Sequence, residues 1–259
     1  MRRAQRRQEN AFLVEGNRAV LDVLESGATI EELFVVEELA EAAAAVQSRA
    51  AGIPVHVVGW AIAKAITDSV TPQGIVAVAA SPLRPLAAIE ARAGLVVVIA
   101  GVSDPGNVGT LVRSAAAAGS DGVILTEGTS DALNPKTARA SAAALFSVPL
   151  VADVTLSEAV AHLRALGFMI AGTDARSATT IYDSDLTRPV ALALGNESWG
   201  LSPEDAALVD HAMSIPMPGA VESLNVAVAG SIVIFEVLRQ RREPRATRLS
   251  STDPEEATD

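Results

Sequence analysis

From Gly94 onward the chain carries short runs that are apolar at every position: Leu95-Val96-Val97-Val98-Ile99, Val123-Ile124-Leu125, Phe168-Met169-Ile170 and Val190-Ala191-Leu192-Ala193-Leu194. A strand with one face in water alternates apolar and polar residues, whereas a strand without polar positions has both faces covered. Such runs, alternating with helical periodicity, specify an α/β domain on a parallel sheet. Helices are expected at 108–118, 135–145, 157–166 and 203–209. A last helix, 223–241, is apolar almost all round through Val226, Val228, Ile232, Val233, Ile234, Phe235 and Leu238. It needs more than one apolar neighbour, and the expected ones are its own sheet and a second copy of the protein.

Residues 9–80 read as a separate small α/β unit, with helices at 17–26 and 38–50 and strands at 33–36, 54–58 and 75–79. Ser81-Pro82-Leu83-Arg84-Pro85 then opens a linker, 81–93, in which two prolines disfavour regular structure before a short helical stretch. The parallel-sheet unit is expected at 94–242. Residues 1–8, with Arg2, Arg3, Arg6 and Arg7, are expected to form a basic flexible arm, and the polar 243–259 read as a disordered tail. No internal repeat is present.

The 259 residues, 49% hydrophobic, suffice for two cores. No apolar run reaches the ~18 residues of a membrane span, and the Arg-rich start lacks a signal peptide's apolar stretch, so a cytoplasmic location without a membrane partner is expected. The lack of cysteine excludes disulfides, thiolate nucleophiles and the usual structural zinc sites, and no metal site is expected. A net charge of −11 excludes a binder that attracts nucleic acid by overall charge, although local basic patches can survive it. The 18 Arg against Lys64 and Lys136 suit planar phosphate contacts, but genomic base composition would give the same bias.

Open α/β sheets bind ligands beyond the carboxyl ends of their strands, which directs attention to the loops after Ala100, Leu194 and Ile215. The first, Ser103-Asp104-Pro105-Gly106-Asn107-Val108-Gly109, feeds a helix whose apolar face is Val108, Leu111, Val112 and Ala115, with Arg113 off that stripe. Asn107 is either a helix cap or a working amide, and Arg113 either a solvated charge or a functional one. In the second, Gly195-Asn196-Glu197 sets an amide and a carboxylate beside glycines at a strand end, a plausible polar ledge, while Ser202-Pro203 is an ordinary helix start. In the third, Pro216, Pro218 and Gly219 stiffen a turn that delivers Ser223 and Asn225 to the last helix. Ser223 reads first as an N-cap; Asn225, with its low helix propensity, suggests that something outside the helix uses its amide.

His56, His162 and His211 are scattered and read as structural. Dinucleotide, P-loop, serine-hydrolase and zinc-protease motifs are lacking.

Asn107-x-Gly109-x-x-x-Arg113, Leu194-Gly195-Asn196-Glu197-x-x-Gly200-Leu201 and Ile215-Pro216-Met217-x-Gly219-x-x-x-Ser223-Leu224-Asn225-Val226-Ala227 together closely resemble the three motifs of the SpoU/TrmH family of RNA 2′-O-methyltransferases. Phe12-Leu13-Val14-Glu15-Gly16 and Thr71-Pro72-Gln73-Gly74 resemble the small RNA-substrate domain of many members, among them ribosomal RNA and thiostrepton-resistance enzymes. The resemblance implies an α/β SPOUT domain with a deep trefoil knot, an exception to the rule against knots. It implies S-adenosylmethionine as cofactor, held by backbone groups of the second and third motifs at Leu194, Gly195, Asn196, Gly200, Ile215, Met217, Leu224 and Val226, and a homodimer with the active site near the interface. Ser198-Trp199 and Pro218 fill variable positions. The implied catalytic set is Arg113, Asn107, Glu197, Ser223 and Asn225.

A guanidinium stays protonated, so Arg113 is expected to hold RNA phosphate and stabilise a developing alkoxide rather than act as a base. Ribosomal RNA is favoured over transfer RNA by analogy with members that carry the extra domain. Two competing readings are an inactive RNA-binding or ribosome-assembly factor of the same fold and a nucleotide-dependent oxidoreductase. The second would need a phosphate-binding glycine loop that the sequence lacks.

Overall fold

The computed structural model describes residues 6, 8–41, 43–67, 71–142, 144–221 and 223–242. Two sheets organise them. The first has four strands, β1 (Ala11–Glu15), β2 (Ile30–Val36), β3 (Val55–Val58) and β4 (Ile75–Ala80), in the order β1-β4-β2-β3. Helices α1 (Asn17–Glu25), α2 (Ala44–Arg49) and α3 (Trp60–Thr67) accompany it.

The second has six strands, all parallel, in the order β10-β8-β9-β5-β6-β7. Its strands are β5 (Leu95–Ile99), β6 (Gly122–Thr126), β7 (Leu150–Val154), β8 (Met169–Thr173), β9 (Val190–Leu194) and β10 (His211–Met213). Every residue of β5, β6 and β9 is buried, as the unbroken apolar runs require. The helices are α4 (Pro105–Ala117), α5 (Pro135–Ser141), α6 (Leu156–Ala165), α7 (Pro203–Ala206) and α8 (Val226–Arg242).

Several elements depart from the sequence expectation. The stretch expected as one helix over 38–50 divides into a 3₁₀ turn, Glu37–Leu39, and α2, and neither start has a capping side chain. The helix expected at 135–145 ends at Ser141, where Ala142 turns left-handed at φ 47° and a 3₁₀ turn, Ala144–Phe146, follows. The final helix starts at Val226, three residues late, because Asn225 supplies the cap. Strands β1, β7 and β10 and helix α3 were not anticipated as elements. The tail 243–259 and Arg2, Arg3 and Arg7 lie outside the described residues. Arg6 is buried, and its guanidinium engages the Asp131 carboxylate.

The two sheets communicate through α5. Gly109 of α4 packs so closely on it that a Cβ there would stand 2.6 Å from both the Ala140 Cβ and the Thr137 carbonyl oxygen. Beyond it, Phe146 stacks on Phe12 with ring centroids 5.8 Å apart, Leu133 joins the first sheet's core, and Arg139 reaches Glu15 at 3.6 Å. The segment after β4 runs along the edge strand β7, with the Arg84 N–H donating to the Leu150 carbonyl at 2.8 Å.

Candidate active site

Three loops meet at the carboxyl ends of β5, β9 and β10. After β5, Asp104 caps α4 by accepting the Asn107 N–H at 3.0 Å, and Pro105 fills the first helical position, where no N–H is needed. The cap is therefore Asp104, one turn earlier than the sequence suggested, and the Asn107 side chain is released for other contacts. Lys136 clamps Asp104 at 2.7 Å; its ammonium, together with the Asn107 N–H, holds that carboxyl below the usual range.

After β9, Asn196 and Gly200 close a tight turn by reciprocal backbone hydrogen bonds of 2.8 and 2.9 Å, with Gly200 left-handed at φ 70°. The Asn196 amide ties this turn to the β5 loop, donating to the Gly101 carbonyl at 2.8 Å. A Cβ on Gly195 would lie 2.3 Å from the Gly200 carbonyl carbon and 2.4 Å from the Leu201 nitrogen, so glycine alone fits. After β10, the chain passes through Pro216 and Pro218 to Asn225, whose Oδ1 accepts the Ala227 and Val228 N–H groups at 2.9 and 3.2 Å and caps α8. Ser223, the expected cap, is left exposed.

One hydrogen-bonded run joins all three. The Asn225 Nδ2 donates to Asn107 Oδ1 at 3.0 Å, and the Asn107 Nδ2 donates to Glu197 Oε1 at 3.0 Å. Glu197 also accepts the Ser103 and Asp104 N–H groups at 3.4 Å, at the positive end of α4. Partial burial pushes the Glu197 carboxyl up, but the Asn107 amide and the backbone N–H donors outweigh it, so its pKa sits below the ordinary carboxylate value. The site thus fixes an ionised carboxylate and two oriented amides from segments about 90 and 118 residues apart in sequence.

Beside this run opens a cavity of about 460 Å³, within the usual range for a small-molecule site. Gly195, Asn196, Gly200, Ile215, Met217, Leu224 and Val226 line it, as do Glu197 and Ser223.

Residues 94–235, more than half of the chain, match the SpoU rRNA Methylase family. The chain belongs to this family. As a SpoU-family protein it is 35% identical, over 236 residues and 90% of each chain, to the 23S rRNA (guanosine(2553)-2′-O)-methyltransferase RlmP of Bacillus subtilis. Among solved structures it resembles the SpoU methyltransferase AviRb from Streptomyces viridochromogenes in complex with AdoMet, with a TM-score of 0.83, 30% identity and coverage of 95% and 96% of the two chains. It also resembles the AdoMet-bound rRNA methyltransferase from Sinorhizobium meliloti, with a TM-score of 0.80, 32% identity and coverage of 92% and 90%. Residues 1–77 match an MRM3-like substrate binding domain.

Not every residue expected at the SpoU site reaches the cavity. The Leu194 side chain is buried beneath α8, where a Cβ on Gly230 would come within 2.6 Å of it. Asn107 and Asn225 sit in the hydrogen-bonded run alongside. Arg113 lies six residues past Asn107 on α4, about 9 Å farther along the axis; it is exposed, and among the described residues it takes part in no hydrogen bond or ion pair.

Sequence reasoning missed the wall supplied by β8, where Gly172, Thr173, Asp174 and Arg176 line the cavity. Asp174 accepts both the Nε and Nη2 of Arg176 at 3.2 Å. The signal available was a strand whose carboxyl end leads directly into Asp174, the kind of strand end where ligands bind. None of the three histidines lines the cavity; His162 faces the Ile89 carbonyl at 3.2 Å and His211 the Ser184 hydroxyl at 2.8 Å.

Proposed function

We propose that this protein transfers a methyl group from S-adenosylmethionine to a ribose 2′-hydroxyl of RNA, with ribosomal RNA as the substrate class. The observation that carries the reading is the Asn225–Asn107–Glu197 run, which gathers all three loops at the edge of one cavity. Kinship with AdoMet-bound SpoU structures supports the cofactor, as does the chemistry of the cavity. Its lining mixes apolar Leu201, Val209, Met213 and Ile215 with the polar Asp174 and Glu197, a combination suited to a small cofactor that carries both apolar and polar parts.

When bound, the cofactor supplies an activated methyl group on a sulfonium. The residues of this chain then have to orient the hydroxyl and help it lose its proton. Gly195, Ile215, Met217, Leu224 and Val226 hold the cofactor. Asn107 and Asn225 fix the ribose side of the site, Glu197 orders the donors around it, and Ser223 completes the polar shell. Arg113 grips the neighbouring phosphate and stabilises the developing alkoxide, and the proton leaves to that phosphate or to a nearby group. The domain matched at 1–77 holds the rest of the RNA.

The finer architecture belongs to the same proposal. The carboxyl-terminal part of the domain threads into a deep trefoil knot, for which the close backbone approach at Gly195 is support. The protein works as a homodimer through α8. Val228, Ile232 and Phe235 recur at helical spacing, and Val228 and Phe235 are 49% and 51% exposed, an apolar stripe suited to a second copy. Arg113 is exposed on α4, the helix whose Ser114 hydroxyl meets that of Ser231 on α8 at 2.7 Å, which supports a position within reach of the dimer seam. The dimer thereby supplies Arg113 to the partner's cavity.

Mapping 2′-O-methyl marks across total RNA, with and without the gene, tests the function. One ribosomal ribose should lose its mark, and maps that do not differ would refute the reading.

A further inference from the structure

Trp199 is the most exposed large apolar side chain among the described residues, at 71%, and it also lines the cavity. A single exposed apolar residue needs no explanation by itself. What sets Trp199 apart is how firmly it is held. Its turn is closed by the reciprocal Asn196–Gly200 hydrogen bonds, and the Ser198 N–H donates to Asn196 Oδ1 at 2.8 Å. The turn is further tied to Gly101, and Gly195 packs against it with no room for a side chain. An indole on such a turn has its backbone fixed in advance, two residues from the carboxylate of the hydrogen-bonded run.

We propose that Trp199 is the platform on which the target nucleobase stacks as its ribose enters the site, an inference that rests on the reading of the protein as an RNA 2′-O-methyltransferase. The chain has only eight aromatic residues, five Phe, two Trp and one Tyr, and Trp199 is the one aromatic residue in the cavity lining. Buried and half-buried apolar residues, Leu201, Val209, Met213 and Ile215, already furnish the interior for a small cofactor. A ring that remains largely in water stands at the mouth, the side from which a polymer must approach. A 2′-hydroxyl can be brought inward only if its nucleotide leaves the stack of its neighbours, and an aromatic face replaces the stacking lost. Because every base has a π-face, Trp199 positions the nucleotide without choosing its identity.

The test uses the full-length protein with in vitro transcribed 23S and 16S ribosomal RNA. In Trp199→Ala, kcat/KM for the RNA that is methylated should fall about 10- to 100-fold, mainly through KM, while the calorimetric Kd for S-adenosylmethionine stays within about 2-fold. Trp199→Phe should keep most of the activity. In Trp60→Phe, which leaves Trp199 as the sole tryptophan, RNA should quench the fluorescence and S-adenosylmethionine alone should not.

Unchanged kcat/KM in Trp199→Ala would overturn the proposal. So would a parallel loss of cofactor affinity, which would make the ring a cofactor cover, or dissociation to monomers in sedimentation, which would make it an interface residue. Wild-type protein that methylates neither RNA overturns the functional reading as well, and that failure is visible before any variant is made.

Discussion

Asn107 is the hinge of the site, because its one amide both accepts from Asn225 and donates to Glu197. Replacing it with Ala removes both links. A hydrogen bond to a charged acceptor contributes about 1.5 kcal/mol when it is exposed as here, and the neutral bond about 1 kcal/mol more. The combined loss, about 2.5 kcal/mol, corresponds to about 70-fold in any step that needs the three loops assembled. Asn107→Asp is sharper, since it keeps the acceptor for Asn225 but sets a second carboxylate about 3 Å from Glu197, a repulsion of about 1–5 kcal/mol depending on local screening.

The pH dependence follows with opposite signs. In the wild type the Glu197 pKa is depressed, so its contribution is complete above the ordinary value of 4.5 and is lost only as pH falls through the lower folded value; activity should be insensitive to this group near neutrality. In Asn107→Asp the paired carboxylates raise one pKa, and acidification lets a shared proton rebuild the bridge. Single-turnover methyl transfer, measured from about pH 8.5 down to about pH 5.5 and normalised to wild type at each pH, should therefore show the variant recovering toward acid. Parallel profiles for the two proteins, or wild-type rates in Asn107→Ala, would refute the role of this run.

Three other perturbations probe separate parts of the structure. Arg113→Ala should abolish turnover yet leave S-adenosylmethionine affinity nearly intact. Mixed in equal amounts with Gly195→Val, it should regain about a quarter of wild-type activity if Arg113 serves the partner's cavity, since half the dimers are then mixed and each has one complete site; no recovery on mixing contradicts that arrangement. Gly195→Ala should eliminate cofactor binding in calorimetry, because its Cβ would stand 2.3 Å from the Gly200 backbone. Arg241 donates to the carbonyls of Ala93, Gly94, Arg188 and Leu186 at 2.6, 2.8, 2.9 and 3.2 Å, anchoring the end of α8. Arg241→Ala should cost about 2 kcal/mol and lower Tm by about 4–8 °C in a thermal melt, with cofactor affinity preserved.

The catalytic sheet was legible because burial on both faces leaves an unmistakable trace, and β5 and β9 have the boundaries that their apolar runs suggest. Strand β7 was hidden by Asp153, which interrupts the apolar pattern at φ 62° where the register with β6 shifts. Strand β10 is three residues long with one buried, too short for any period. In the site, residue identity pointed to Asn107, Glu197 and Asn225, and the Asn225 amide does serve a partner outside its helix, but local rules left the caps unsettled. Cap preferences cannot tell which of two nearby candidates wins, so Asp104 rather than Asn107 caps α4, and Asn225 rather than Ser223 caps α8. The wall from β8 could not be assigned to this cavity from its strand-end signal alone, because Asp174 and Arg176 reach it through strand order, which is a property of the whole sheet.

The most direct measurement is the chemical identity of the product. Purified protein is incubated with S-adenosylmethionine labelled at the methyl group and unmodified ribosomal RNA, and the digested nucleosides are resolved by mass spectrometry. Label confined to a nucleoside methylated on its ribose oxygen is the expected result. Label on a base, or label that persists undiminished in Arg113→Ala, would contradict a site in which a guanidinium and two amides steer a 2′-hydroxyl toward the methyl donor.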